Sequence, residues 1–364
     1  MDIYEDLGVK TYINAWGKAT ALGASLINPE AFEAMKEASK AFVDVEELHR
    51  KAGEVIARLT GAEYACITCG ASSALCAAIA SCMTGTDEAK VMQIPETQGM
   101  RDEVIVQERH AGYYTMLARL TGAKIVLVGD KKACSVDQFK AAFNQKTCAV
   151  IYQVNVVDAG VVPLADVLAI AHEKEVPVVV DAAAMTDQKK YVATGADLVL
   201  YSGGKAFEGP TSSGFVCGRR DLVDACHLQR RNIARPQKVG KEEIVGLLKA
   251  LDVYAHRDVE AQLKEDSRKV TFIADSLNGL AGAKMEVVYD QVRPEIRRVQ
   301  VTVDEKTIGL SCDEIRKKLA DGNPGIILRP SRGNTLLVDV RQQRVGDELI
   351  VAKRMREILS KKRV

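Results

Sequence analysis

The chain has 364 residues, 47% hydrophobic and 27% charged, with a net charge of +1. That length suits one large domain and a smaller one, and the balanced charge argues against a nucleic-acid partner or an acidic tail. No apolar run approaches the roughly 18 residues needed to span a bilayer; with an acidic start that lacks an apolar signal core, this points to a cytoplasmic protein with no membrane partner.

In chain order, strand-like runs alternate with helical ones. Residues 65–68 read as a strand and 72–83 as an Ala-rich helix; 103–107 is a strand and 115–121 helical. Residues 124–128 are a strand and 135–143 a helix, 148–153 a strand and 164–174 a helix, and 178–180 and 197–201 are strands. Apolar strands separated by helices imply a mostly parallel sheet covered on both faces, whose functional groups gather at the strands' carboxyl ends. Residues 238–277 have helical periodicity. Beyond them, strands at 284–289, 297–303, 325–329 and 335–340 alternate with helices at 311–320 and 347–361. The fold class is therefore α/β, with a mostly parallel large-domain sheet and a small α+β C-terminal domain. The boundaries read as 1–50 for an N-terminal arm, 51–250 for the large domain, and 251–364 for a linking helix and the small domain.

Nine cysteines, an odd number, lie mostly in apolar segments and read as reduced, buried small hydrophobes. Cys66 and Cys69 form a C-x-x-C, but no second pair and no spaced histidine pair accompanies it. Its place on an apolar strand makes it structural, and no metal site is expected.

Two strand ends carry chemistry. Residues 176–183, Val-Pro-Val-Val-Val-Asp-Ala-Ala, end a buried strand in Asp181. Residues 198–210, Leu-Val-Leu-Tyr-Ser-Gly-Gly-Lys-Ala-Phe-Glu-Gly-Pro, end another in a small-residue turn that presents Lys205. Alone, each is an ordinary solvated or capping group. In this order on successive buried strands they are what a pyridoxal phosphate enzyme needs: a lysine for the Schiff base and a carboxylate for the protonated ring nitrogen. Gly70, Ala71 and Ser72 follow a strand and open a helix, an arrangement that cradles a phosphate. His110, just past the strand 103–107, is placed to stack on the cofactor ring, and Ser202 to hold its phosphate. Arg329 offers a planar fork for a substrate carboxylate; a surface arginine beside Pro330 is the plainer reading. Arg230, Arg231, Arg235 and Lys238 form a basic run that is either a solvated face or a grip on an acidic or phosphorylated substrate, with Arg235 the candidate contact.

These motifs carry a family resemblance. The stretches 12–25 (YINAWGKATALGAS), 59–65 (LTGAEYA), 70–72, 180–184 (VDAAA), 202–210 (SGGKAFEGP) and 239–248 (VGKEEIVGLL) span nearly the whole chain. They resemble the selenocysteine-synthase-like branch of the fold-type I pyridoxal phosphate enzymes, and within it the D-glucosaminate-6-phosphate ammonia-lyase group. The resemblance implies pyridoxal 5'-phosphate as cofactor and a homodimer or larger homo-oligomer. It also implies elimination of water and ammonia from a β-hydroxy amino acid, an amino sugar acid, to give a 2-keto acid. Other carbanion reactions on the same cofactor, such as β-replacement, racemisation, aldol cleavage or transamination, use the same residues and stay open.

Overall fold

The structure is a computed structural model that describes residues 3–154 and 159–360. Two compact units divide the chain, Leu26–His256 and Met1–Ser25 with Arg257–Val364, where the sequence places boundaries at 50 and 250. The helices Pro29–Ala38 and Val45–Thr60 belong to the larger unit because the first packs along the helix Lys241–His256. That approach is close: a Cβ on Gly246 would lie 2.5 Å from Met35 Cγ.

Among the described residues the strands are, in chain order, β1 (Tyr12–Asn14), β2 (Tyr64–Thr68), β3 (Glu103–Gln107), β4 (Lys124–Val128), β5 (Thr147–Gln153), β6 (Val178–Asp181), β7 (Leu198–Ser202), β8 (Gly214–Gly218), β9 (Ala283–Tyr289), β10 (Arg297–Val303), β11 (Gly325–Ile327) and β12 (Thr335–Val338). The larger unit holds a sheet in the order β2-β8-β7-β6-β5-β3-β4. Its pairings are parallel from β7 through to β4, and β8 runs antiparallel to both its neighbours. Every residue of β5, β6 and β7 is buried, as runs rich in Val, Ile and Leu require when helices cover both faces. The helix Ala71–Thr84 lies on one face, and its Ala74, Ala78 and Ile79 pack with Val104, Ile151 and Val179 in one core.

Sequence periodicity alone does not show β8, a short run with a glycine at each end. The helical stretch read at 238–277 is two helices, Lys241–His256 and Val259–Leu277. They break at Asp258, whose carboxylate accepts from Ala261 N–H at 2.9 Å and so starts the second helix. Residues 115–121 form a 3₁₀ helix.

In the smaller unit β9, β10 and β12 form an antiparallel sheet, and β1 pairs in parallel with β11. The N-terminal segment thus returns to this unit. The helices Val259–Leu277, Cys312–Ala320 and Asp347–Leu359 supply its core with Ile273, Ile315 and Met355. Lys361, where sequence periodicity ends the last of these, lies outside the described residues. All nine cysteines are free thiols. Burial, with Cys226 nearby, pushes the Cys66 thiol well up, as an inert core thiol requires.

Ser311 accepts from Glu314 N–H at 3.2 Å while the Glu314 carboxylate takes Ser311 N–H at 2.8 Å, a reciprocal cap on the helix Cys312–Ala320. Ser311→Ala is expected to cost about 1 kcal/mol, seen as a lower urea midpoint at unchanged slope. An unmoved midpoint would show that the cap contributes nothing.

Candidate active site

Parallel register sets the site. β5 and β6 pair with Gln153 opposite Asp181, and β6 and β7 with Asp181 opposite Leu200. The chain ends of β5, β6 and β7 therefore stand level. Asp181 is 8% exposed. Its Oδ1 accepts from Ala183 N–H at 3.0 Å, and Gln153 Nε2 donates to Oδ2 at a long 3.5 Å. A carboxylate this deep with one short hydrogen bond is under-satisfied. Burial pushes its carboxyl above the ordinary range, against the Ala183 N–H, the positive charge of Lys205 and Gln153.

Lys205 sits four residues beyond Tyr201 on a turn bound to the sheet. Gly203 N–H donates to Ser213 C=O at 2.9 Å, and Gly209 N–H to Gly203 C=O at 3.0 Å. Below the turn, the Phe207 ring packs against Tyr201, Phe215 and Tyr254 at centroid distances of 5.8, 6.1 and 4.9 Å. The hydroxyls of Tyr201 and Tyr254 donate to the carbonyls of Asp187 and Thr186 at 3.0 and 2.6 Å. Glu208 holds φ at +56°, a conformation that costs a non-glycine residue and persists where its surroundings over-determine it. The lysine is therefore aimed by a rigid base. Its Nζ lies 5.8 Å from the centroid of the Tyr114 ring, within cation–π reach.

Gly70 caps the helix Ala71–Thr84 with φ at +147° and no side-chain hydrogen bond. The helices Pro29–Ala38, Val45–Thr60 and Val259–Leu277 all carry side-chain caps. The bare first-turn N–H groups at Ala71 and Ser72 are what an anion takes. Ser202 stands level with Gly214 in the β7–β8 pairing, and a Cβ on Gly214 would come within 2.9 Å of Gly70 Cα. The bare helix start, the serine and the lysine turn thus lie side by side. His110 is fully buried, edge-on to Tyr152 at 4.6 Å, and its Nδ1 accepts from Gln153 N–H at 3.5 Å.

Pyridoxal phosphate fits these residues. The under-satisfied Asp181 suits a protonated ring nitrogen, the Lys205 amine a carbonyl carbon, and the bare helix start with Ser202 a phosphate. Sequence reading missed Gln153 and Tyr114. Gln153 carries a signal, since it ends β5 as Asp181 ends β6. Tyr114 carries none.

Arg235 opens a short 3₁₀ turn, Arg235–Gln237, on the rim of a different cavity. Arg329 lies in the other unit. Among the described residues no carboxylate of that unit pairs with it; burial, then Arg332 and Arg298, lower its affinity for its own proton. Of its neighbours Arg298 is committed: Asp339, 1% exposed, takes Arg298 Nε at 2.8 Å and Arg341 Nη2 at 2.6 Å, and Arg298 also reaches Asp290 at 2.9 Å. A half-buried guanidinium without a carboxylate partner is of the type that can receive an anion.

Residues 34–231 match the model of the family described as aminotransferase class-V. A D-glucosaminate-6-phosphate ammonia lyase of Salmonella typhimurium is 35% identical over 98% of this chain and 98% of its own. A 5'-C-glycyluridine monooxygenase-decarboxylase of a Streptomyces species is also 35% identical, over 98% of this chain and 92% of its own. A solved structure of D-glucosaminate-6-phosphate ammonia-lyase superposes with a TM-score of 0.88 at 34% identity, over 99% of this chain and 98% of that one.

The buried Asp181 charge generates a test on cofactor-free protein. Its pKa is raised on folding above the ordinary 3.8, so the folded state holds the proton longer than the unfolded chain. Ionisation therefore costs stability as pH rises. Asp181→Asn is expected to be more stable than the parent at pH 7 by about 1–3 kcal/mol, with the gain shrinking as pH falls towards 4. Urea unfolding at several pH values measures it; a variant less stable at neutral pH contradicts the assignment.

Proposed function

The chain belongs to the aminotransferase class-V family, and on that premise we propose that it is a pyridoxal-phosphate-dependent ammonia-lyase. Its substrate is a β-hydroxy amino acid, an amino sugar acid such as D-glucosaminate 6-phosphate, and its products are a 2-keto acid and ammonia. The observation that carries this reading is the agreement of both sequence and fold, over nearly the whole chain, with one lyase.

Bound pyridoxal phosphate supplies an electron sink for the charge left when a proton leaves the substrate α-carbon. Asp181 keeps the sink effective by holding a proton on the ring nitrogen, and its own burial ensures that it gains from that pairing. Lys205 takes the α-proton at Nζ. Between that atom and the departing β-oxygen it then passes a proton, so that hydroxide leaves as water. The released enamine takes water back and loses ammonia, which leaves the 2-keto acid. Ala71, Ser72 and Ser202 would hold the phosphate, His110 would stack on the ring, and Arg329 would take the substrate carboxylate. The assembly is a homodimer or larger, and the protein works in the cytoplasm; among the described residues no helix is long and apolar enough to cross a membrane.

A second reading keeps the site and changes the reaction. The Streptomyces relative, equal in identity, is named for oxygenation and decarboxylation, so oxygen uptake and carbon dioxide release are its markers.

Incubation of the cofactor-loaded protein with D-glucosaminate 6-phosphate, D-glucosaminate and serine separates the two. Ammonia and 2-keto acid released in equal amounts from a sugar acid support the lyase; neither released from any of them overturns it. Lys205→Ala is expected to lower turnover by more than about 10³-fold, and substantial retained activity would remove its role as base. Arg329→Gln is expected to raise KM roughly 10- to 100-fold with a smaller change in kcat, the scale of one lost charged hydrogen bond. An unchanged KM would return Arg329 to the surface.

A further inference from the structure

The larger unit contains a cavity of about 860 Å³ to which the steps above assign no role. Its walls come from the start of the helix Val45–Thr60, the end of β2, the first turns of the helix Ala71–Thr84 and the segment 226–241. Two polar side chains line it without a hydrogen-bond partner: His49, 3% exposed, at Nδ1, and Ser73, 5% exposed, at Oγ. Gln237 Oε1, also on the wall, is equally unmatched. A buried polar atom without a partner costs about 1–3 kcal/mol, and such atoms in one cavity mark a place where a ligand supplies the missing bonds.

The charge around the cavity gives the ligand's sign. Arg230 is held by Glu46 at 2.8 Å and Arg231 by Glu88 at 3.2 Å, and Lys241 is paired with Glu242. Arg235 and Lys238, also on the wall, have no acidic partner among the described residues. Two uncommitted cations therefore stand over a floor of neutral polar groups. His49 is among the latter because burial, then Arg230 and His227, hold its imidazole far below the ordinary range, at about 3. Its Nδ1 serves as donor in the tautomer an anion selects. Ser73 lies in the first turn of a helix whose start has no side-chain cap, which adds partial positive charge to the same wall. An anion with several acceptor oxygens satisfies all of these groups, and the volume accommodates the carbon chain that carries it.

We propose that this cavity binds a phosphate monoester, with Arg235 and Lys238 on its phosphoryl oxygens and His49 and Ser73 donating from the floor. The site is distinct from the start of the cofactor cradle at Ala71 and Ser72: successive residues of a helix point about 100° apart, and Ser73 is the buried one of the three.

The test uses the cofactor-loaded protein, so the cofactor's own phosphate cradle is filled. Inorganic phosphate is titrated at constant ionic strength, with chloride as the balancing salt, and binding is followed by calorimetry and by the melting temperature. Wild type is expected to bind and to melt higher with added phosphate. Arg235→Gln with Lys238→Gln, two exposed positions that leave the core intact, is expected to lose at least tenfold in affinity. Ser73→Ala is expected to lose several-fold. No binding by wild type, or equal binding by wild type and the double variant, overturns the proposal. A second arm names the source of the phosphate. If the double variant loses tenfold or more in kcat/KM for D-glucosaminate 6-phosphate relative to D-glucosaminate, the phosphate is the substrate's own. If phosphate binding is lost while that ratio holds, the ligand is a separate phosphate ester; both results keep the site. The binding arm needs no turnover, so failure of the lyase reading leaves it intact.

Discussion

One buried carboxylate constrains the larger unit. Asp181 is nearly sealed from water with one short hydrogen bond and one long one, a state that costs stability unless a cation meets it. Lys205 supplies part of that compensation through space. A protonated ring nitrogen would supply the rest directly. The site thus carries a deficit that a bound cofactor would fill, and the parallel register of β5, β6 and β7 is what brings Gln153, Asp181 and the lysine turn to one level.

The lysine turn shows how such a site stays rigid. Its glycines allow backbone to lie on backbone: a Cβ on Gly204 would come within 2.6 Å of Thr211 Cα, and one on Gly203 would strike Ser213 Oγ. The aromatic group of Tyr201, Phe207, Phe215 and Tyr254 fills the space below, and two tyrosine hydroxyls tie it to the loop after β6. In the smaller unit Asp339 does comparable work. It gathers Arg298 and Arg341 on one carboxylate, while Arg329 has no acidic partner among the described residues of that unit. Gly17, with φ at +97°, lies where a Cβ would touch Asp339 Oδ2, so the N-terminal segment packs directly on that network.

Much of this is legible in the sequence, for definite reasons. β6 is a short valine run that ends in Asp181, and β7 opens on an apolar run and gives way to a Gly-Gly turn before Lys205, so period and punctuation suffice to find both residues. Ser72 is found because a small-residue turn joins a strand to an Ala-rich helix. The antiparallel β8 escapes because five residues bounded by glycines carry no period. The break between Lys241–His256 and Val259–Leu277 escapes because Asp258 acts as a cap only when its carboxylate faces Ala261 N–H, which composition does not reveal. Tyr114 and His49 escape because their roles come from tertiary neighbours: the Lys205 ammonium for one, an unfilled cavity for the other. The basic run 230–238 is ambiguous in sequence, and the structure resolves it residue by residue, since Arg230 and Arg231 are paired while Arg235 and Lys238 have no acidic partner among the described residues.

The account stands on Lys205 as the attachment point of the cofactor. Borohydride reduction of the cofactor-loaded protein, followed by proteolysis and mass spectrometry of the peptides, tests this most directly. The account predicts one pyridoxyl-labelled peptide, carrying the label on Lys205, and loss of that peptide in Asp181→Ala, where the ring is no longer held. A label spread over several surface lysines, or fixed on a different lysine, would contradict it.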